Sequence, residues 1–228
     1  MTAVLGIVAA LEMEGRWIGA PEPLVELSGV GDARAENAGH RLVDRGATAL
    51  VSWGVAGGLD PDLEPGTVVL PDVVVHTDGS NSPADVAWRD RLLTRLQGRL
   101  LTSTSPLFHA TRPITAPAEK MELHQKTGAA AVDMESAAVV AVANETGIPC
   151  LVVRVVADAA GVRLPAVALT MCDEWGRLKK SALLRLIFQP GEWRGMLRLG
   201  RANAAAGRSM RKLWSAAGPD LALSEVQS

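Results

Sequence analysis

From residue 4 to residue 156 short apolar runs alternate with stretches of helical spacing, and this alternation constrains the fold more than any other feature. Residues 4–9 form a continuous apolar run. Such a run leaves no face for water, so it reads as a strand buried on both sides, the habit of parallel sheets. Residues 25–28 and 49–53 read as further strands, and GVAGG at 54–58 is expected to break the latter. In the run 68–75, Pro71 signals an edge, a bulge or a bend. Residues 129–132 and the β-branched 150–156 complete the set of strands. Residues 31–46 and 135–146 read as helices closed by Gly46 and Gly147, and 84–100 carries apolar residues at helical spacing. Strands separated by helices imply an α/β fold: one three-layer α/β/α domain around a mostly parallel, mixed central sheet. A chain of 228 residues suits one domain of that kind.

Beyond residue 162 the texture changes. Residues 176–212 hold ten Lys/Arg and a single acid, Glu192, for a charge of +9. The remaining chain then has 13 Lys/Arg against 24 Asp/Glu, or −11, so the overall −2 conceals a strong division. Pro190-Gly191 splits the basic segment into two expected helices. In the second, Met196, Leu199, Ala206, Met210 and Leu213 make an apolar stripe, with Arg194, Arg198, Arg201, Arg208 and Lys212 roughly opposite. The expected organisation is a catalytic core at 1–162 and a C-terminal helical extension at 163–228, packed on or beside it. The basic face is either simply solvated or rests on an anionic membrane or a lipid-like substrate through 176–214. No nucleic-acid motif accompanies the charge. Trp175, Trp193 and Trp214 bracket the segment and suit either an interface or the core.

Several chemistries lose support at once. There is no tyrosine for acid–base work, and Cys150 and Cys172 are too few for a disulfide scaffold. The start of the chain lacks the basic region of a signal peptide, and no apolar run is long enough to span a bilayer. His40, His76, His109 and His124 lack metal-ligand spacing. Neither a nucleophile elbow, a P-loop nor a dinucleotide-binding glycine pattern occurs. A cytoplasmic protein without metal or organic cofactor is expected, with peripheral contact at the inner membrane as a further expectation.

Three carboxylates stand out by position. Glu14 follows the first strand within one helical turn, beside Glu12. Glu135 lies at a strand–helix junction in VDMES, and Asp158 directly follows the strand at 150–156. Ligands of open α/β sheets bind beyond the carboxyl ends of strands, so all three could converge on one pocket. Each also has a local explanation: helix-dipole complement for Glu12, Glu14 and Glu135, and an N-cap for Asp158. Gly54-Val55-Ala56-Gly57-Gly58 could let backbone N–H groups approach an anion or a sugar, or be only a tight turn.

Taken together, GIVAALEMEG at 6–15, SGVG at 28–31, WGVAGGLDPDLEPGTVV at 53–69, VDMESAA at 132–138 and RVVADAA at 154–160 resemble the nucleoside phosphorylase superfamily. The resemblance is greatest to its methylthioadenosine/S-adenosylhomocysteine nucleosidase branch and covers about two-thirds of the chain. The basic tail, with QPGEW and LRLGR, is further similar to the hopanoid-associated purine nucleoside phosphorylases, which act on adenosylhopane. The resemblance implies that Glu14 activates a water, that Met134 and Glu135 hold the ribose, and that Asp158 protonates or hydrogen-bonds purine N7. It places Val55, Ala56, Gly57 and Gly58 at the nucleophile pocket and aligns 114–117 loosely with the loop that cups the base. It also implies a homo-oligomer. These residue types suit the chemistry: cleaving an N-glycosidic bond puts positive charge on the ribose and negative charge on the departing purine.

One departure bears on the reaction. Val55 stands where the nucleosidase pattern has a small hydroxyl residue that contacts water or phosphate. Phosphorolysis needs cations, for which the core offers Arg16, Arg34 and Arg154. The leading expectation is a phosphorylase releasing adenine from an adenosyl-lipid, with phosphate as co-substrate. The alternatives are a hydrolase of methylthioadenosine or S-adenosylhomocysteine, favoured by the anionic Glu14, and a non-catalytic nucleoside-binding protein.

Overall fold

The computed structural model describes residues 3–20, 23–164, 173, 175, 177 and 193–224. The first of the two helices expected in the basic segment, and Cys172, lie outside the described residues. The strands are β1 (Leu5–Ala9), β2 (Leu24–Leu27), β3 (Ala49–Gly58), β4 (Val68–Val69), β5 (Val73–Val75), β6 (Asn81–Pro83), β7 (Thr102–Ser103), β8 (Leu107–His109), β9 (Ala131–Asp133) and β10 (Cys150–Asp158). The helices are α1 (Glu12–Gly15), α2 (Asp32–Asp44), α3 (Val86–Leu96), α4 (Pro117–Thr127), α5 (Ser136–Thr146) and α6 (Trp193–Ala217).

The strands form one sheet in the order β6-β5-β8-β9-β3-β10-β4-β7, with β1 joined to β3 and β2 to β1. Its centre, β2-β1-β3-β10, is parallel, while β4 on β10, β9 on β3 and β6 on β5 are antiparallel. Alternate residues of the central strands enter two cores. On one face Ile7, Val51, Trp53, Val153 and Val155 pack with Trp88 and Leu92 of α3 and Met210, Leu213 and Trp214 of α6. On the other, Val8, Leu50, Val152 and Val156 pack with Leu42 of α2 and Val139 and Val142 of α5. The result is the three-layer α/β/α architecture.

The GVAGG sequence does not break β3, which runs on to Gly58. The central position explains this: Gly54 to Gly57 pair with β10, and Gly57 and Gly58 also meet β9. The run 68–75, in contrast, divides into β4 and β5 around Leu70-Pro71-Asp72. Proline lacks the N–H a continuous ladder would need. Helix α4 was not expected from apolar spacing; it starts with Pro117 in its first turn and ends at Gly128, whose φ is +68°.

Helix α6 is anchored in the core. Ala206, Met210, Leu213 and Ala217 are wholly buried, and Trp214 meets Trp53 edge-on at 6.0 Å between ring centres. Each large apolar side chain so buried contributes about 1.5–3 kcal/mol before entropy is subtracted. Arg198, Arg201, Arg208, Arg211 and Lys212 lie on the exposed side. Among the described residues no helix is long and apolar enough to cross a membrane.

Candidate active site

Three strand ends supply the site. At the end of β1, Leu11 caps α1, and Glu14 reaches back so that its Oε2 accepts from the Leu11 N–H at 2.8 Å. Its Oε1 accepts from the Val55 N–H of β3 at 2.8 Å, and the Trp53 indole donates to its backbone carbonyl at 3.2 Å. Gly54 is required beneath it: a Cβ there would lie 2.5 Å from Glu14 Oε1 and 2.6 Å from Arg154 Nη1. The glycine that looked like a strand breaker is the place where an acid and a base approach the sheet.

At the end of β9, Asp133 Oδ2 accepts from the Ser136 N–H at 3.1 Å and so caps α5. The same oxygen takes the Ser136 hydroxyl at 2.5 Å and Arg154 Nε at 2.6 Å, while Arg154 Nη2 donates to the Ser52 hydroxyl at 2.8 Å. This cap holds Met134 and Glu135 at the rim. Glu135 Oε1 accepts from the Gly31 N–H at 2.9 Å, and its Oε2 from the Met134 N–H at 3.3 Å. At the end of β10 the register slips between Val156 and Asp158. That bulge turns the Asp158 carboxyl toward Gly57, where a Cβ would lie 3.4 Å from Oδ1.

Val55, Ala56, Gly57, Met134, Glu135 and Asp158 line one cavity of about 180 Å³, closed on its other side by Arg112, Pro113, Ile114 and Leu164. Glu14 and Arg154 are not in that lining; they are buried just behind β3. The other two cations named for phosphate are elsewhere. Arg16 is 78% exposed and faces Glu12, and Arg34 lies on the exposed side of α2, outside the cavity lining. Among the described residues no cluster of three or more His, Cys, Asp or Glu is placed to hold a metal ion.

Electrostatically the site is a buried acidic cluster around one guanidinium. Burial raises the Glu14 carboxyl above its ordinary value, with Arg154 and the Val55 and Leu11 N–H groups opposing. Burial, then Asp133 and Glu14, raise Glu135 to about 7, against Arg154 and the Gly31 N–H. Burial opposes the charge of Arg154, but Asp133, Glu135 and Glu14 more than offset it. Burial also raises Asp158, and Lys120 opposes the rise. Cys150 is inert, its thiol pushed up to about 12 by burial.

The Glu135 shift has a measurable consequence. Between 4.5 and about 7 the folded protein binds this proton more tightly than the unfolded chain does. Its contribution therefore favours the fold at low pH and is lost as pH rises through about 7. In Glu135→Gln that loss is absent. Calorimetric melting across this range should show a shallower fall in Tm for the variant than for the parent protein; parallel curves would contradict the assignment.

Lys120 is the residue that sequence reasoning missed. It lies on α4, is wholly buried, and donates to Asp158 Oδ2. A lysine in AEKMEL reads as a solvated helix position, and only Pro117 and Gly128 at the helix ends offered a signal that a helix was there at all.

The model of the phosphorylase superfamily matches residues 13–174. The chain belongs to the phosphorylase superfamily. Among relatives of this superfamily member, a 5′-methylthioadenosine/S-adenosylhomocysteine nucleosidase of Mycobacterium tuberculosis is 27% identical over 194 residues, covering 68% of this chain and 76% of its own. Among solved structures, futalosine hydrolase of Helicobacter pylori superimposes with a TM-score of 0.67 at 15% identity, over 92% of this chain and 97% of that one. A nucleosidase variant from the same organism, with 5′-methylthioadenosine in its active site, gives a TM-score of 0.68 at 15% identity, over 94% and 99% of the two chains. At these identities the likeness to the solved structures is one of fold.

Proposed function

We propose that this superfamily member hydrolyses the N-glycosidic bond of a purine nucleoside of the methylthioadenosine type, releasing adenine. The carrying observation is the charge around Arg154. Its guanidinium is engaged by Asp133 and Ser52 and flanked by Glu14 and Glu135, so it offers little to a phosphate dianion, which three neighbouring carboxylates would repel. The Mycobacterium tuberculosis relative reported above is a nucleosidase by name, which supports the hydrolytic alternative over the phosphorolysis first expected.

In this reading Glu135 accepts hydrogen bonds from the ribose hydroxyls and stabilises the positive charge that develops on the sugar. As the C–N bond breaks, its electron pair goes to the purine, which takes up a proton at N7 from the Lys120–Asp158 pair. The oxygen of water bonds to the anomeric carbon and its proton passes to Glu14. The raised proton affinity of the buried carboxyls suits such transfers near neutral pH.

Adenine release from methylthioadenosine should proceed at the same rate with and without phosphate at constant ionic strength. Strict dependence on phosphate, with a sugar 1-phosphate as product, would overturn the hydrolytic reading.

One observation favours a lipid-linked nucleoside as a second reading. An apolar cavity of about 240 Å³ adjoins the first, sharing Asp158 and Leu164, and is lined by Leu199, Ala202 and Arg198 of α6. Beside it Leu197 is exposed and the basic face of α6 begins. If that face meets an anionic bilayer, flotation with anionic vesicles should capture the protein at low salt and release it as salt rises, because exposed charges are screened over about 8–10 Å at physiological ionic strength. Equal recovery with neutral and anionic vesicles would remove the membrane contact.

A further inference from the structure

The loop that brings the Gly31 N–H to Glu135 has little support of its own. Residues 28–31 lead from β2 to α2, and Gly29 and Gly31 sit at φ +77° and +104°, where side chains are rarely tolerated. One end is tied to β1: the Ser28 and Gly29 N–H groups donate to the Ala9 and Ala10 carbonyls at 2.9 and 3.0 Å. At the other end Gly31 is the N-cap of α2 and has no side chain with which to cap it. The tie there comes from across the fold. His109, the last residue of β8, bonds through Nε2 to Asp32 Oδ2 at 3.0 Å. A carboxylate can only accept, so Nε2 is the donor. His109 Nδ1 and Asp32 Oδ1 are buried without a partner among the described residues, so a single bond joins the two elements. The other titratable groups beside His109 are engaged elsewhere. His76, its ring centre 5.6 Å away, bonds through Nε2 to the Ser82 hydroxyl at 2.8 Å. Asp133, the neighbour of His109 in register on β9, is bonded to Arg154.

These contacts close a ring. The Ala110 N–H donates to the Asp133 carbonyl at 2.9 Å, which fixes the end of β8 beside the end of β9. Asp133 leads to Glu135 two residues on, Glu135 Oε1 accepts from the Gly31 N–H, and Asp32 returns to His109. Neither His109 nor Asp32 lines the cavity, so whatever they contribute to a ligand passes through Glu135. Of the two backbone donors on that carboxylate, Gly31 is the nearer, at 2.9 Å against 3.3 Å for Met134. A donor held still fixes the carboxylate and leaves its remaining lone pairs for other hydroxyls.

We propose that His109 is a positioning residue for the sugar: through Asp32 it holds the start of α2, and with it the Gly31 N–H, so that Glu135 is fixed to receive the ribose hydroxyls. This rests on the reading of Glu135 as the group that holds the ribose, but it concerns binding and is testable without turnover.

The test is calorimetric titration of the full chain with two probes. One is 9-deazaadenosine, whose carbon–carbon link to the sugar is not hydrolysed; the other is 9-deazaadenine, the same base without the ribose. His109→Phe keeps a flat ring and removes the donor. It should weaken the nucleoside on the order of tenfold, the scale of one hydrogen bond, and leave the base alone unchanged. His109→Gln, whose amide can donate to Asp32, should restore most of the loss. Glu135→Gln should also weaken the nucleoside, and adding His109→Phe to it should cost little more, because both substitutions act on one contact. A merely structural histidine would weaken both probes alike, and its effect would add to that of Glu135→Gln. Equal weakening of both probes, or unchanged nucleoside affinity, in a folded His109→Phe overturns the proposal. Should that variant not fold, Asp32→Ala, at the half-exposed end of the bond, is read in the same way. If Glu135→Gln itself binds the nucleoside as the parent protein does, Glu135 does not hold the ribose, and that reading falls together with the proposal.

Discussion

Glu14→Gln should lower kcat for adenine release by about 10²–10⁴, the usual worth of a positioned general base, with much less effect on KM. The substitution is nearly isosteric and keeps an oxygen that can accept from the Val55 or Leu11 N–H, but it removes the basic oxygen. A carboxylate so enclosed has a strained charge balance: burial raises its proton affinity, and Arg154 is its charged counterweight. The glutamine removes the buried charge but sets its amide nitrogen against one of the two backbone N–H groups, so the two effects oppose and the variant should stay folded, with a melting temperature near that of the parent protein. Single-turnover measurement of adenine release, beside equilibrium binding of a nucleoside, checks both parts. Unaltered kcat would show that Glu14 is only the back-reaching glutamate of the α1 cap. If the parent protein bound nucleosides with no measurable cleavage, the chain would be a binding protein, the third alternative that Val55 leaves open.

Arg154→Met should cost the fold about 3–5 kcal/mol at neutral pH, the range for breaking a buried ion pair from one side. Methionine fills much of the volume, so the loss is electrostatic rather than a cavity. Asp133, buried and already carrying one unpartnered oxygen, would lose the guanidinium, and Glu14 and Glu135 would lose their common counter-charge. The sign with pH follows. Protonation of the stranded acids relieves the penalty, so the variant should recover stability as pH is lowered from neutrality, and urea unfolding at two pH values measures the difference. A variant as stable as the parent at neutral pH would mean that Arg154 is not the counter-charge that holds this cluster together.

Much of this arrangement was legible because the central strands β1, β3 and β10 are apolar at nearly every position, Ser52 and Arg154 being buried exceptions, a pattern that suits a doubly covered sheet. Glu135 and Asp158 were legible for the same reason: an acid directly after such a strand stands where the sheet ends and a ligand can enter. The cavity wall at Val55, Ala56 and Gly57 was found through its glycines, although the inference that they end the strand was wrong. Glycine there relieves a crowding between Glu14 and Arg154 that comes from residues 40 and 100 positions away, and no local rule reports it. Arg16 and Arg34 were chosen for their charge alone, and charge does not say which way a helix faces. Lys120 was hidden because its partner, Asp158, comes from a different strand across the fold and its helix has little apolar periodicity.

The edge-on contact of Trp53 with Trp214 joins positions 161 residues apart. During synthesis, β3 leaves the ribosome long before α6 does. The part of the sheet face that α6 covers, with the Trp53 indole and the support it gives Glu14, therefore waits until α6 has emerged. Completion of the site waits for α6, and a ribosome stalled short of that helix would display an apolar surface for chaperones to hold.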